Sequence, residues 1–302
     1  MAKADFIPIM TVAQGLNTTA DPTRIAYNLR TGETELSQAV NVDIGKTGRI
    51  SRRLGRVQKS ATAAAHGFVY GETCLFVGGT TLYRMRQDYS TISLRTGLTA
   101  NARMRYYGVA DRIYYTNEFE KGYVQRGVSL SWEKGAYTEP GDSRRTFSDP
   151  PIGHMLGWFA SRMLVAKNNA VYASEPSFYG VFDLFGSTRV FPNRVTMLQS
   201  TPQGLWVGTE THVLFFRGQK WKELRREIKA DYGVLEGSDV WCPGEKRGIP
   251  ERSLIFTTSQ GICACGEDGS FVNLSYNKLN FPTGRYASAA MAGDRYLLLI
   301  EP

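Results

Sequence analysis

Residues 205–216, LWVGTETHVLFF, impose the strongest constraint on this chain. Leu205, Trp206 and Val207 read as a strand, Gly208, Thr209, Glu210 and Thr211 as a tight turn, and Val213 to Phe216 as a returning strand. Apolar, β-branched and aromatic residues on both sides of a short Gly/Thr/Glu break are the pattern of a hairpin. The phrase recurs: LFVGGTTLYRM from Leu75, IYYTNEFEKGYV from Ile113, LVAKNNAVYAS from Leu164, IFTTSQGICAC from Ile255 and YLLLI from Tyr296. Landmarks at 75, 113, 164, 205, 255 and 296 lie 38, 51, 41, 50 and 41 residues apart. One hairpin per period of this size is the spacing of sheets arranged radially about an axis, a β-propeller. The copies share a hydrophobic pattern and a turn rather than an invariant motif.

Composition supports an all-β chain. The 16 Tyr and 15 Phe suit pleated surfaces, and 31 Gly and 12 Pro supply turns without reaching a disordered composition. The helical windows are short, around residues 61–65 and 221–228, and the second reads better as a charged edge strand. The formal charge of +8 is compatible with nucleic acid, acidic polysaccharide or an acidic protein surface, or with an ordinary soluble surface. The densest basic cluster, Arg49, Arg52, Arg53 and Arg56, lacks the interleaved aromatics of a single-strand-binding platform. Four cysteines without a CxxC argue against a zinc site and for buried thiols. No segment approaches the ~20 apolar residues of a membrane span. Residues 1–10 lack the apolar region of a signal peptide, so a product made in a cytoplasm is expected.

Taken in order, residues 1–38 read as an extended N-terminal arm, and 39–302 as a single propeller domain. The arm carries an apolar patch, Phe6, Ile7, Ile9 and Met10, followed by a polar stretch containing Arg24 and Tyr27. It is either loosely attached or docks on a neighbouring subunit with the patch as anchor. Residues 39–53 form a hairpin whose alternation of Val40, Val42 and Ile44 with Asn41 and Asp43 has period two. Strand-bearing groups follow at about 66–95, 103–132, 153–183, 188–226 and 238–274. The long junctions 138–151 and 243–251 are candidate contact loops, and the first places Arg144, Arg145 and Phe147 at a candidate interface. Two strands near 286–291 and 296–300 have no following group. A ring with two free edges invites aggregation, so pairing these strands with the hairpin at 39–53 is the expected closure. About six blades result, within a range of five to seven.

The search for chemistry yields little. His66, His154 and His212 lie far apart, and no GxSxG, HExxH, P-loop or GxGxxG is present. Glu118/Glu120 and Glu267/Asp268 are near-neighbour acids in turns, where solvated carboxylates are ordinary. No catalytic, cofactor-binding or metal-ligating residue is assigned, and no cofactor is expected. Trp132, Trp158, Trp206, Trp221 and Trp241 lie in or beside strands. They suit packing between neighbouring sheets better than a sugar-binding pocket.

The run GLNTTADPTRI…ETELSQAVNVDIGKTGRISRRLGR (15–56) resembles the opening of β-propeller virion proteins of tailed bacteriophages. TTLYRM (80–85), ADRIYYTNEFEKGYV (110–124), RMLVAKNNAVYASEP (162–176), GLWVGTETHVLFFRG (204–218) and TTSQGICACGEDGSFVNLS (257–275) follow in matching order. The resemblance is to tail-nozzle, tail-hub and head–tail components of short-tailed phages. It implies a non-enzymatic structural protein, assembled in the host cytoplasm into a ring of six in the virion tail. Other tail or head–tail proteins would be its neighbours, DNA would be present only in transit, and the arginine excess would face protein partners. The alternatives are a glycan- or host-surface-binding propeller and, further off, a propeller hydrolase or lyase.

Overall fold

A computed structural model describes residues 12–25, 33–45, 48–55, 57–138, 145–243, 252–276, 278–279, 284–293 and 295–301. Strands β1 (Val12–Leu16) and β2 (Glu33–Leu36) pair in parallel, and β3 (Val42–Ile44) and β4 (Ile50–Arg52) form a hairpin. Six antiparallel sheets follow. The first holds β5 (Ala65–Tyr70), β6 (Thr73–Gly78), β7 (Thr81–Met85) and β8 (Thr91–Arg95). The second holds β9 (Arg105–Val109), β10 (Arg112–Thr116), β11 (Lys121–Gln125) and β12 (Val128–Leu130). The third holds β13 (Met155–Phe159), β14 (Arg162–Lys167), β15 (Ala170–Glu175) and β16 (Phe178–Phe182), with β17 (Thr188–Val190) also paired to β15. The fourth holds β18 (Val195–Thr201), β19 (Gly204–Thr209), β20 (Val213–Arg217) and β21 (Arg225–Ala230). The fifth holds β22 (Val240–Pro243), β23 (Arg252–Thr258), β24 (Gly261–Cys265) and β25 (Phe271–Asn273). The sixth is the hairpin of β26 (Tyr286–Ala292) and β27 (Arg295–Glu301).

The middle strands explain the architecture. Every residue of β19 is buried, as are Met163 to Ala166 of β14 and Ser253 to Thr258 of β23. A strand reads as a continuous apolar run when both faces of its sheet are covered. Successive side chains point to opposite faces, so such a strand feeds two cores at once. Leu205 and Val207 join Leu164, Val171, Leu198 and Phe216 between sheets three and four. Trp206, between them in sequence, joins Met197, Phe215, Leu254, Phe256 and Cys263 between sheets four and five. The same division holds in β10, where Ile113 and Tyr115 pack towards sheet one and Tyr114 towards sheet three. Large aromatics fill the wedges. The Trp132 ring lies 4.9 Å from Tyr114 and 6.2 Å from Phe182. Its indole N–H donates to the Tyr179 carbonyl, and that of Trp206 to the Gly266 carbonyl, both at 3.0 Å.

The first strands of all six sheets, or the residues just before them, line one central cavity. The sheets therefore radiate from an axis, and the fold is a β-propeller in which six such sheets lie among the described residues, with the β3–β4 hairpin as a further two-stranded sheet. Two expectations need correction. Residues 188–190 belong to the third sheet, because Asp183 turns the chain back: its Oδ1 accepts the Phe185 and Gly186 N–H groups. The β3–β4 hairpin and the sixth sheet share no ladder among the described residues. Each is a separate two-stranded sheet, and an Arg295–Asp43 ion pair at 2.7 Å links them. The seam is held in part by charge where a shared ladder was expected. Of the helical windows, Trp221–Glu223 is a single 3-10 turn and β21 follows as an edge strand.

Trp206→Ala removes a fully buried ring from the wedge between sheets four and five. It should lower stability by roughly 3–5 kcal/mol in urea unfolding. Phe185→Ala, at a ring left 91% exposed, should change it by less than about 0.5 kcal/mol.

Candidate functional site

The axial cavity has a volume of about 560 Å³. One side of it is polar and charged. Arg103, just before β9, and Arg105, its first residue, lie two apart in near-extended chain and so share a side. Glu236, in the turn before β22, is 3% exposed and accepts from Arg105 at 3.4 Å and from Arg194 at 3.2 Å. Arg194 reaches on to Glu118 at 2.5 Å. Burial works against the Arg194 charge, but the bonds and attraction of Glu118 and Glu236 outweigh it and raise its pKa. Arg103 contacts Glu301 of β27 at 3.4 Å, donates to the Ala287 carbonyl of β26, and lies over the Tyr286 ring. Charges from sheets two, four, five and six thus meet around the axis.

Gly237 makes this convergence possible. Its φ is +88°, a region that disfavours side chains. A Cβ there would also meet the Ala287 carbonyl and stand 2.6 Å from an Arg103 nitrogen and 2.8 Å from an Arg105 nitrogen. Two histidines border the network. His154 is 3% exposed, and its Nε2 lies 2.7 Å from the Val195 carbonyl, so the neutral ring donates there. Burial, then the Arg194 charge, lowers the His154 pKa despite that bond. The His66 pKa is lowered by burial, then by Arg103 and Arg105.

The expected interface residues are dispersed. Phe6, Ile7, Ile9, Met10, Tyr27 and Arg144 lie outside the described residues. Arg24 ends a one-turn 3-10 segment at Pro22–Arg24. Arg145 is turned inward: it pairs with Glu175 at 2.5 Å and Asp183 at 3.0 Å, both carboxylates nearly buried on sheet three. Phe147 is half-buried against Tyr137, 4.9 Å between centroids, with the Arg145 guanidinium over its ring. The described part of residues 1–38 is tied to its own chain. The Thr18 N–H donates to the Lys278 carbonyl, and Lys278 pairs with Glu35 at 2.6 Å. Trp132, Trp206 and Trp221 are buried between sheets and present no surface to a sugar. No helix of the described residues is long and apolar enough to cross a membrane. The axial charges escaped the sequence reading because their partners are remote: Arg105 and Glu236 stand 131 residues apart.

No protein-family model matches the chain, and no curated protein sequence matches it. Among solved structures, the extracellular domain of BT4673 from B. thetaiotaomicron is similar over 83% of this chain, with 10% identity and a TM-score of 0.48. This chain spans about a third of that protein's length, 33%. The gluconolactonase XC5397 of Xanthomonas campestris is similar over 80% of this chain and 84% of its own, at 14% identity and a TM-score of 0.46. A virginiamycin B lyase from Staphylococcus aureus, solved with quinupristin, is similar over 86% of this chain and 84% of its own, at 11% identity and a TM-score of 0.45.

The two histidines set a pH dependence. Their folded pKa values lie below the ordinary 6.5, so the unfolded chain binds more protons near that pH and stability rises with pH there. The urea midpoint should therefore fall as pH drops from roughly 7.5 to 5.5, above the range where carboxylates titrate. His154→Gln should make that fall shallower, measured as the midpoint's slope against pH.

Proposed function

We propose that this chain is a non-enzymatic structural protein of a tailed-bacteriophage virion. It acts as a subunit of a ring in the tail or at the head–tail junction through which DNA leaves. The resemblance over residues 15–56, and the order of the later matching stretches, support this reading. One structural observation carries it. Among the described residues the segment with the fullest resemblance shares no ladder with the six radial sheets, and it leaves Val40 and Leu54 71% and 89% exposed, with Val57 just beyond at 78%. Three aliphatic side chains so close in sequence and so exposed gain nothing in water and suit a surface that another subunit covers. Arg49, Arg52 and Arg53 are exposed in the same segment, so that surface is basic as well as apolar. A propeller suits the task because each sheet packs on its neighbours and the whole resists distortion.

The test pairs imaging with a substitution. Electron microscopy of purified particles should locate the chain in a tail ring of six copies. Leu54→Asp should abolish incorporation while leaving the melting temperature of the free chain unchanged, since the side chain contributes almost nothing to the fold. A wild-type chain absent from virion tails and monomeric at high concentration would overturn the proposal.

A further inference from the structure

The axial cavity has a chemical character that a structural role does not require. Arg103 and Arg105 bring two guanidinium groups to the same face of Gly237, close enough that a single added carbon would touch both. Like charges this near repel, and the anions available to them are poorly placed. Glu301 meets Arg103 only at 3.4 Å and is half exposed, while Glu236 meets Arg105 at 3.4 Å and is shared with Arg194. The Nε atoms of Arg103 and Arg105 are buried and have no hydrogen-bond partner. A buried donor without a partner is costly unless something else satisfies it. A third donor borders the same space. The Met104 N–H donates to His66 Nδ1 at 3.3 Å, so a neutral His66 carries its proton on Nε2.

The wall formed by β22 carries an aromatic ring and a carboxylate that is already engaged. Asp239 accepts from Gln199 Nε2 at 2.7 Å, and Gln199 Oε1 accepts from the Trp241 indole at 2.9 Å. Trp241 lines the cavity, with the Arg252 guanidinium 5.1 Å from its ring centre. The cavity therefore holds the Arg103–Arg105 pair together with Trp241, Gln199, Arg252 and an Asp239 carboxylate that Gln199 already engages. Its volume is that of sites for small organic molecules.

The geometry points to a binding site for a small organic anion, its phosphate or carboxylate held by Arg103, Arg105 and His66 and its body directed towards Trp241. The two guanidinium groups supply charge-assisted, paired donors of the kind that recognise such oxyanions. Burial first, and then the charges of Arg103 and Arg105 against that of Glu301, lower the His66 pKa. This inference is independent of the virion proposal and stands or falls separately from it.

The test follows the His66 ring by NMR in the full chain during titration with glucose 6-phosphate, succinate and, as neutral control, glucose. Binding should shift the His66 resonances saturably and raise its pKa by about one unit, as an added neighbouring anion does. Arg103→Gln and Arg105→Gln should each weaken binding at least tenfold. Should either fail to fold, Trp241→Leu on the wall formed by β22 provides the second variant. It should leave the His66 response to inorganic phosphate intact while weakening the larger organic anion. A response to glucose 6-phosphate alone assigns a phosphorylated ligand, and a response to succinate alone assigns a carboxylate. No saturable response to either anion, or one that sodium chloride reproduces at matched ionic strength, overturns the site.

Discussion

Two-faced burial of the sheets is the constraint on which everything else depends. Each middle strand must supply apolar side chains to both of its neighbours, and β19 meets this with Leu205 and Val207 on one side and Trp206 on the other. The hydrophobic effect scales with apolar area removed from water, so such a strand contributes twice what a one-sided strand would. Four such interfaces run without interruption from the first sheet to the fifth. They leave the innermost strands fixed in position and free to present polar groups to the axis.

The axis then shows the opposite chemistry from the wedges. Glu236, Arg105 and Arg194 come from three different sheets and meet where the backbone has no side chain to spare, at Gly237. The buried Glu236 carboxylate is tolerable because two arginines, Arg105 and Arg194, attend it. The network adds specificity to the packing: only one arrangement of the sheets brings those side chains within reach. His154 contributes in the same way, with a ring that spans from β13 to the Val195 carbonyl of β18.

Much of the architecture was legible because it depends on local pattern. The recurring hairpins at 75, 113, 164, 205, 255 and 296 all fall in strands of successive sheets, since a strand–turn–strand unit is encoded within a dozen residues. What depended on distant partners was not legible. Thr188–Val190 follows a break at Phe185 and Gly186, so it looked like the start of a new group until the Asp183 turn returned it to β15. Arg145 sits in a long polar junction and read as a candidate interface residue, with no signal in the junction for the pairs it makes with Glu175 and Asp183. The axial arginines carry no motif, because their spacing matters in three dimensions and not along the chain. The expected ladder between the ends of the ring presumed that backbone pairing would close it, where the described residues offer the Arg295–Asp43 pair.

The strap formed by Arg103 has a bearing on how the ring is made. It reaches from the start of the second sheet to the Ala287 carbonyl, across 184 residues of chain. Contacts of such sequence separation form late, because the intervening loop must first be ordered by nearer partners. On a ribosome, the first five sheets are complete before residues 286–301 have been synthesised, and until then Arg103 has no counterpart. The circle is therefore sealed only after its other five sheets have been made. A product interrupted before that point would keep most of its hydrophobic interfaces yet remain an open arc, with the innermost strand of its fifth sheet lacking the β26 neighbour it has in the closed ring.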